Sequence, residues 1–219
     1  MTFGPALYLE VQYRVAQARG VRYTVKTPAQ PSPLGDLIEH PSTPSGEQAP
    51  QQSPSFASVL TGSKEQVLVP KDTQFSILIP KIGANAKVIP NVDPSDERIF
   101  LPALLQGVAH AKGTVFPGQP GNIYLFSHST DNFWDVGRYN AIFYLLKDVS
   151  VGDEVIVFFE GRRYDYTVTE SKIVDPTDVS YIVHSRTNQE TLILQTCWPP
   201  GTTWKRLLVI ARPSSQVGK

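Results

Sequence analysis

Residues 192–211 decide the fold, because LILQTCWPPGTTWKRLLVIA consists of two apolar runs joined by a polar, turn-rich loop. The runs at 192–196 and 207–211 have the length and composition of buried strands. Between them, WPPG at 198–201 contains the residues that interrupt strands and form turns. The stretch therefore predicts an antiparallel hairpin, with Cys197 ending its first strand and Arg206 beginning its second.

Further short apolar runs precede this hairpin and share its spacing by turn residues. They lie at 75–79, 86–89, 122–127, 155–159 and 164–168. Pro80 and Pro90 are predicted to end the first two, and Gly161 lies in the turn of a hairpin formed by the last two. Short helices are predicted near 99–105 and 139–146. Many short strands with few helices indicate an all-β domain, either a closed barrel or a sandwich.

Composition excludes several classes of protein. The 20 Lys and Arg balance the 20 Asp and Glu, whereas nucleic-acid-binding proteins usually carry a basic excess. One cysteine cannot form an intrachain disulfide or a cysteine-based zinc site. No run approaches the roughly 18 apolar residues of a membrane span. No cofactor or metal site is predicted.

The chain divides by composition into four segments. Residues 1–27 are predicted to form a helix that resembles a segment just outside a membrane, although their apolar spacing also allows a strand. Residues 28–66 contain most of the clustered prolines, with Ser, Thr and Gln, and are predicted to be a linker or stalk. Residues 67–214 hold the β-rich domain, and 215–219 form a short tail.

Three residues at strand ends suggest nucleophilic catalysis. Cys197 is the only thiol, and a guanidinium across the hairpin at Arg206 favours a thiolate and can stabilise an oxyanion. His128 ends another apolar run and could supply a proton to a departing amine. His110 is its rival from the residues alone. Each of the three also has a purely structural interpretation. Cys197 could be a small buried side chain, Arg206 could form a surface ion pair, and His128 could be a hydrogen-bonded histidine in a turn.

These residues lie in motifs that resemble those of the sortase family. GVAHAKGTVFPGQPGN at 107–122, running on to His128, resembles the block that leads to the catalytic histidine of sortases. ILQTC at 193–197 resembles their T-L-x-T-C signature, and Arg206 matches the arginine that opens the last strand. ILIPKIG at 77–83 resembles their first strand and turn. The resemblance covers about residues 75–213 and is closest to class D/E-like sortases.

Three features depart from the family pattern. After His128 the family often has an arginine or a short polar run leading to a phenylalanine, whereas this chain has STDNFW at 129–134. Ile193 replaces the first threonine of T-L-x-T-C, and Ser127 stands where the residue before the histidine is usually glycine. These changes bear on substrate preference more than on the core chemistry.

The resemblance implies a sortase-like, eight-stranded, mostly antiparallel β-barrel and a cysteine transpeptidase. Cys197 would cleave an LPxTG-like sorting signal after Thr through a thioacyl intermediate, with His128 and Arg206 as the other catalytic residues. The implied partners are surface proteins carrying the signal and an amine acceptor, either a peptidoglycan precursor or a pilin lysine. His110 is implied to be structural, and either Asp131 or Asn140 is a candidate to orient His128.

The resemblance also implies a location, which is the outer face of a bacterial cell membrane. We expect an anchoring transmembrane helix upstream of Met1, with the proline-rich segment as a stalk.

Two alternatives remain: a peptidase that mainly hydrolyses the signal, and a barrel that binds peptides without reacting. The apolar residues Pro176, Val179, Ile182 and Val183 are candidates for the signal-binding groove, and the nearby aromatics Phe126, Phe133, Trp134, Trp198 and Trp204 are candidates for its walls.

Overall fold

The computed structural model describes residues 4–25, 65–129 and 142–216. Most of the predicted linker at 28–66 lies outside these ranges, as do Asp131, Phe133, Trp134 and Asn140. None of the helices in these ranges is long and apolar enough to cross a membrane.

Eight strands form a closed barrel, which confirms the predicted fold class. In chain order the strands are β3 (Phe75–Ile79), β4 (Ala84–Val92), β5 (Val108–Ala111), β6 (Gly121–Phe126), β7 (Glu154–Phe159), β8 (Arg162–Val174), β9 (Glu190–Trp198) and β10 (Lys205–Pro213). Around the barrel the order is β10-β8-β7-β3-β4-β5-β6-β9. Within the barrel, only β4–β5 and β6–β9 pair in parallel, so the barrel is mostly antiparallel.

Before the barrel, the described chain forms helix α1 (Gly4–Ala18) and the strands β1 (Arg22–Val25) and β2 (Glu65–Leu68), which pair in parallel. Within the barrel sequence lie helices α2 (Glu97–Gln106) and α3 (Ser180–Val183). Short 3-10 helices occupy Pro80–Ile82, Tyr144–Asp148 and Ser214–Gln216.

Helix α2 is the short helix predicted near 99–105. The side chain of Asp96 caps it by accepting a hydrogen bond from the backbone N–H of Arg98. The second predicted helix is a 3-10 helix at Tyr144–Asp148, and the first part of its predicted range, 139–141, lies outside the described residues.

The β7–β8 hairpin forms as predicted around Gly161. Glu160 and Gly161 both have positive φ, 49° and 75°, as a two-residue hairpin turn requires. In contrast, the prediction that Pro90 ends its strand was wrong, because β4 continues to Val92. Its pairing with β5 shifts register between Ile89 and Val92, so the proline, which cannot donate a backbone hydrogen bond, lies at an irregularity in the ladder.

The side chains of the barrel strands alternate between two apolar clusters. The inner cluster fills the barrel and includes Ile77, Val108, Leu125, Leu194 and Val209. An outer cluster includes Tyr124, Phe126, Ile193 and Leu208, and α2 covers it with Ala103 and Leu104. This alternation follows from the two-residue period of a strand and assigns every strand residue to one side of the wall.

The N-terminal elements pack on the barrel at two places. Tyr13 of α1 packs against the inner cluster, and Glu10 accepts a 3.0 Å hydrogen bond from Lys147 Nζ. Val25 of β1 and Leu68 of β2 pack against a second outer patch formed by Leu78, Ile156 and Phe158. The predicted domain boundary at residue 67 therefore falls inside β2, and residues from the 1–27 segment contact the barrel.

Candidate active site

Cys197 and Arg206 face each other across the β9–β10 hairpin. The strand register pairs Cys197 directly with Arg206. Opposed residues in an antiparallel pair have Cβ atoms about 4.5–5.5 Å apart, which brings the guanidinium within reach of the thiol. The Arg206 Nη1 atom donates to the carbonyl oxygens of Thr203 at 3.1 Å and Lys205 at 3.2 Å, and these bonds orient the guanidinium.

His128 is brought to this hairpin by the parallel pairing of β6 with β9. The ladder ends with Phe126 opposite Gln195. Beyond it, the backbone N–H of Ser127 donates to the Gln195 carbonyl at 3.1 Å, and the Thr196 hydroxyl donates to the Ser127 carbonyl at 3.1 Å. These two bonds continue the register toward Cys197, so His128, which is 6% exposed, lies beside the end of β9.

Strand alternation places the three side chains on the same side of the barrel wall. His128 follows Phe126 by two residues, and Cys197 follows Gln195 by two residues. Arg206 precedes Leu208 by two, and Leu208 and Phe126 both belong to the outer cluster. The predicted residues Cys197, His128 and Arg206 thus line one groove on the outer face of the barrel.

The groove has a volume of about 550 Å³ and mostly apolar walls. One wall is helix α2, through Phe100, Leu101 and Leu104. The other is the segment before β9, through Pro176, Val179 and Ile182, as the sequence predicted. Val183, the fourth predicted contact, is 67% exposed and is not among the lining residues.

Three of the aromatic residues predicted as walls are described by the structure, and one of these three lies at the groove. Phe126 lines it and makes an edge contact with Phe100, with ring centroids 6.3 Å apart. Trp198 packs against the inner cluster instead, because it occupies the next position of β9 after Cys197 and faces the opposite side. Trp204 lies in the loop before β10 and is 73% exposed.

Comparison with known proteins gives the family. The sortase domain model matches residues 77–214, which is more than half of the 219-residue chain. The chain belongs to the sortase family. Sortases are cysteine transpeptidases that act at the bacterial cell surface on proteins carrying a sorting signal.

Individual relatives agree with this assignment. The chain is 28% identical over 137 residues to sortase D of Bacillus subtilis, which covers 61% of this chain and 60% of that protein. It is 29% identical over 160 residues to sortase A of Listeria monocytogenes, covering 73% and 64% respectively. The match therefore spans less than two-thirds of the length of these two curated relatives.

A solved structure is similar in fold. A sortase D5 transpeptidase of Clostridium perfringens superposes with a TM-score of 0.52 at 23% identity, covering 65% of this chain and 79% of that chain. The relatives include class D members, as the resemblance predicted, and a class A member.

His110, the rival histidine of this sortase, lies inside the barrel and is 0% exposed. Its Nδ1 atom accepts from the backbone N–H of Asn91 at 3.3 Å. Nε2 therefore carries the proton and donates to the Val115 carbonyl at 3.0 Å. Burial lowers the pKa of His110, and the ring makes a 4.5 Å centroid contact with Phe116. His110 thus lies in the inner cluster and is not among the groove-lining residues.

Sequence reasoning missed a polar pair in the floor of the groove. The Tyr124 hydroxyl donates to Gln195 Oε1 at 2.9 Å, and both residues line the groove. Burial raises the pKa of Tyr124, so its phenol keeps the proton that it donates. The two-residue spacing from Tyr124 to Phe126 and from Gln195 to Cys197 was the available signal, because it assigns both to the outer face.

Several acidic side chains in the described part of the chain have hydrogen-bond or ion-pair partners. Asp178 accepts from Ser180, Asp175 pairs with Lys205, and Glu154 pairs with Arg163. In the described part of the chain, no three His, Cys, Asp or Glu side chains converge to hold a metal ion.

Proposed function

We propose that this chain is a sortase-type cysteine transpeptidase in which Cys197, His128 and Arg206 are the catalytic residues. The observation that carries the proposal is their meeting in one apolar-walled groove, at the ends of β6, β9 and β10. The residue types match the reaction: a thiol as nucleophile, an imidazole for proton transfer and a guanidinium for developing negative charge.

In the first half-reaction, the Cys197 thiolate attacks the carbonyl carbon of the residue before the scissile bond. The carbonyl oxygen gains negative charge, and Arg206 stabilises it across the β9–β10 hairpin. When the tetrahedral intermediate collapses, the C–N bond breaks and the departing amine takes a proton from the His128 imidazolium. The N-terminal part of the peptide remains on Cys197 as a thioester.

In the second half-reaction, an incoming amine attacks the thioester and its proton passes to the neutral His128. The new amide bond forms as the C–S bond breaks, which returns the Cys197 thiolate. Water at about 55 M competes with the amine, so the acyl group must be protected. The apolar walls Phe100, Leu104 and Ile182 suit this need, because they displace water along the bound peptide.

The preferred substrate is an LPxTG-like sorting signal, cleaved after Thr, on a surface protein. An extended apolar peptide would fit the groove, because the groove has apolar walls on both sides and polar groups at the end where the catalytic residues lie. The acceptor is an amine on the cell surface, from a peptidoglycan precursor or a pilin lysine. The chain would work on the outer face of the bacterial cell membrane.

An intact-mass experiment tests the proposal. The protein is mixed with a Leu-Pro-Ala-Thr-Gly peptide, quenched in acid and compared with Cys197→Ala. We expect wild-type protein to gain the mass of the peptide up to Thr, and C197A to gain none. Adding a glycine oligomer should discharge the adduct and produce the ligated peptide.

Other outcomes contradict specific parts of the proposal. If the adduct decays to free acid at the same rate with and without the amine, the protein is a hydrolase. If no peptide of the sorting type forms an adduct, although C197A binds those peptides, the barrel is a non-catalytic binding protein. An adduct in C197A would exclude Cys197 as the nucleophile.

A further inference from the structure

We propose that the Gln195 side-chain amide binds a main-chain carbonyl of the sorting peptide, on the residue two positions before the acylated one, and so sets the register of the peptide on Cys197. The inference rests on the proposed function, since it concerns the peptide bound in the same groove. It assigns Gln195 as a substrate-positioning residue and Tyr124 as the residue that orients it.

The orientation of the Gln195 amide comes from its contact with Tyr124. Because the Tyr124 hydroxyl donates to Oε1 at 2.9 Å, the carbonyl branch of the amide is directed toward Tyr124. The NH₂ branch lies on the other side of the same planar group, and Gln195 is partly exposed in the groove. Tyr124 itself is 3% exposed, so it is held by packing and fixes which end of the amide meets the peptide.

The distance along β9 gives the register. Gln195 and Cys197 lie on one face of the strand, two residues apart, which corresponds to about 7 Å. An extended peptide has the same rise per residue. If Thr is acylated on Cys197 and the acyl half of the peptide runs back along β9 over Gln195, the residue above Gln195 is the one two positions before Thr, which is Pro in Leu-Pro-Ala-Thr-Gly.

The part of the groove around Gln195 suits the acyl half of the peptide. Leu104 of α2 and Ile182 from the opposite wall both line the groove of which Gln195 forms part of the floor. Peptide side chains can pack on these walls, but a main-chain carbonyl buried there without a donor would be destabilised. Asp178 and Glu97 also line the groove, but their carboxylates can only accept hydrogen bonds when ionised. The Gln195 amide can donate a hydrogen bond to this main-chain carbonyl.

The test measures peptide binding in the Cys197→Ala background, so that its result does not depend on catalysis. Titrations followed by NMR compare C197A with C197A/Q195M, in which methionine keeps the side-chain length but has no donor. We expect Leu-Pro-Ala-Thr-Gly to bind the double variant about 3- to 10-fold more weakly, as the loss of one hydrogen bond implies.

A modified peptide identifies the bonded atom. Replacing Ala by lactic acid turns the Pro–Ala link into an ester, whose carbonyl is a weaker acceptor. C197A should bind this ester several-fold more weakly than the amide peptide, whereas C197A/Q195M should bind the two about equally. A peptide with N-methylalanine keeps the amide carbonyl and lacks the N–H, so it controls for loss of that group.

Tyr124→Phe is the second variant. It leaves Gln195 in place but removes the hydroxyl that orients its amide, so we expect a smaller loss of affinity, about 2-fold.

Equal discrimination between amide and ester in C197A and C197A/Q195M would overturn the inference, even if wild-type protein forms the thioacyl adduct. Absence of peptide binding by C197A would overturn both this inference and the proposed groove.

Discussion

His110 and His128 lie close in the fold but on opposite sides of the barrel wall. β5 pairs with β6, and this ladder sets His110 opposite Leu125, three residues before His128. His110 faces the inner cluster, where both of its ring nitrogens have backbone partners. His128 faces the groove, together with Cys197 and Arg206.

Strand alternation, more than residue type, therefore separates a structural histidine from a candidate catalytic one. Burial lowers the pKa of His110 and keeps its ring neutral, as a hydrogen-bonded core residue requires. Proton transfer to a substrate requires an imidazole that the substrate can reach, and the groove provides that access for His128.

Replacing each histidine separately by asparagine should give the greatest difference in acylation rate between two variants. His128→Asn should slow formation of the thioacyl adduct by about 100- to 10,000-fold, the usual contribution of a general acid. His110→Asn should leave the rate within a few-fold at a temperature where the protein remains folded. Quenched-flow mass spectrometry measures both rates. A greater loss in H110N than in H128N would reverse the assignment.

Arg206→Lys tests whether the guanidinium stabilises the developing oxyanion. Lysine keeps the positive charge but loses the planar set of donors, so we expect acylation to fall by about 100-fold. Alkylation of Cys197 by iodoacetamide, which builds no oxyanion, should change by less than about 3-fold. Arg212→Lys on the same strand is the matched control, because Arg212 bonds Gln189 outside the groove. An equal effect of the two substitutions on acylation would exclude a specific role for Arg206.

The stability of the protein should depend on pH through His110. Its pKa in the folded state lies below the ordinary value of 6.5 because of burial, so the unfolded chain binds the proton more readily. The contribution of neutral His110 to stability is therefore present above pH 6.5 and is lost as the pH falls through the folded-state pKa.

His110→Asn reveals this contribution. The substitution should lower the free energy of unfolding by about 1–3 kcal/mol at pH 8, because it disrupts buried hydrogen bonds. The difference from wild type should shrink at pH 5, where the folded state no longer gains from a neutral ring. Urea unfolding at the two pH values measures it. A difference that grows at pH 5 would mean that His110 is charged in the folded protein.

The last prediction, with the weakest effect, concerns the contact between α1 and the barrel. Lys147 Nζ donates to Glu10 at 3.0 Å and to Asp148 at 2.6 Å, and its hydrogen bond lowers the pKa of Glu10. Lys147→Met should destabilise the protein by at most about 1 kcal/mol and speed hydrogen exchange in α1. Acylation should not change, and a large loss of acylation would show that α1 docking controls the groove.

Much of the fold could be predicted from local patterns. The hairpin containing Cys197 and Arg206 follows from two apolar runs and the turn residues between them, and the structure pairs these residues directly. Helix α2, Glu97–Gln106, covers the range 99–105 that the sequence predicted. Pro90 was misjudged because a proline is tolerated where the ladder is irregular, and an irregular ladder depends on the neighbouring strand.

The sequence alone is enough to predict the apolar runs, their turns and the alternation along each strand, and it contains the motifs that resemble those of sortases. It also determined that Cys197 and Arg206 would meet, because a short hairpin loop joins them. These features depend on residues that are close in the chain, so local physical chemistry is enough to predict them.

Contacts between segments that are far apart in the chain could be known only from the folded protein. The hydrogen bond from Thr196 to Ser127, which sets His128 beside Cys197, links residues 69 positions apart. The Tyr124–Gln195 bond spans 71 positions, and the contact of Glu10 with Lys147 spans 137. Strand periodicity specifies which side of the wall a residue occupies, but the order of strands around the barrel follows from packing the whole chain.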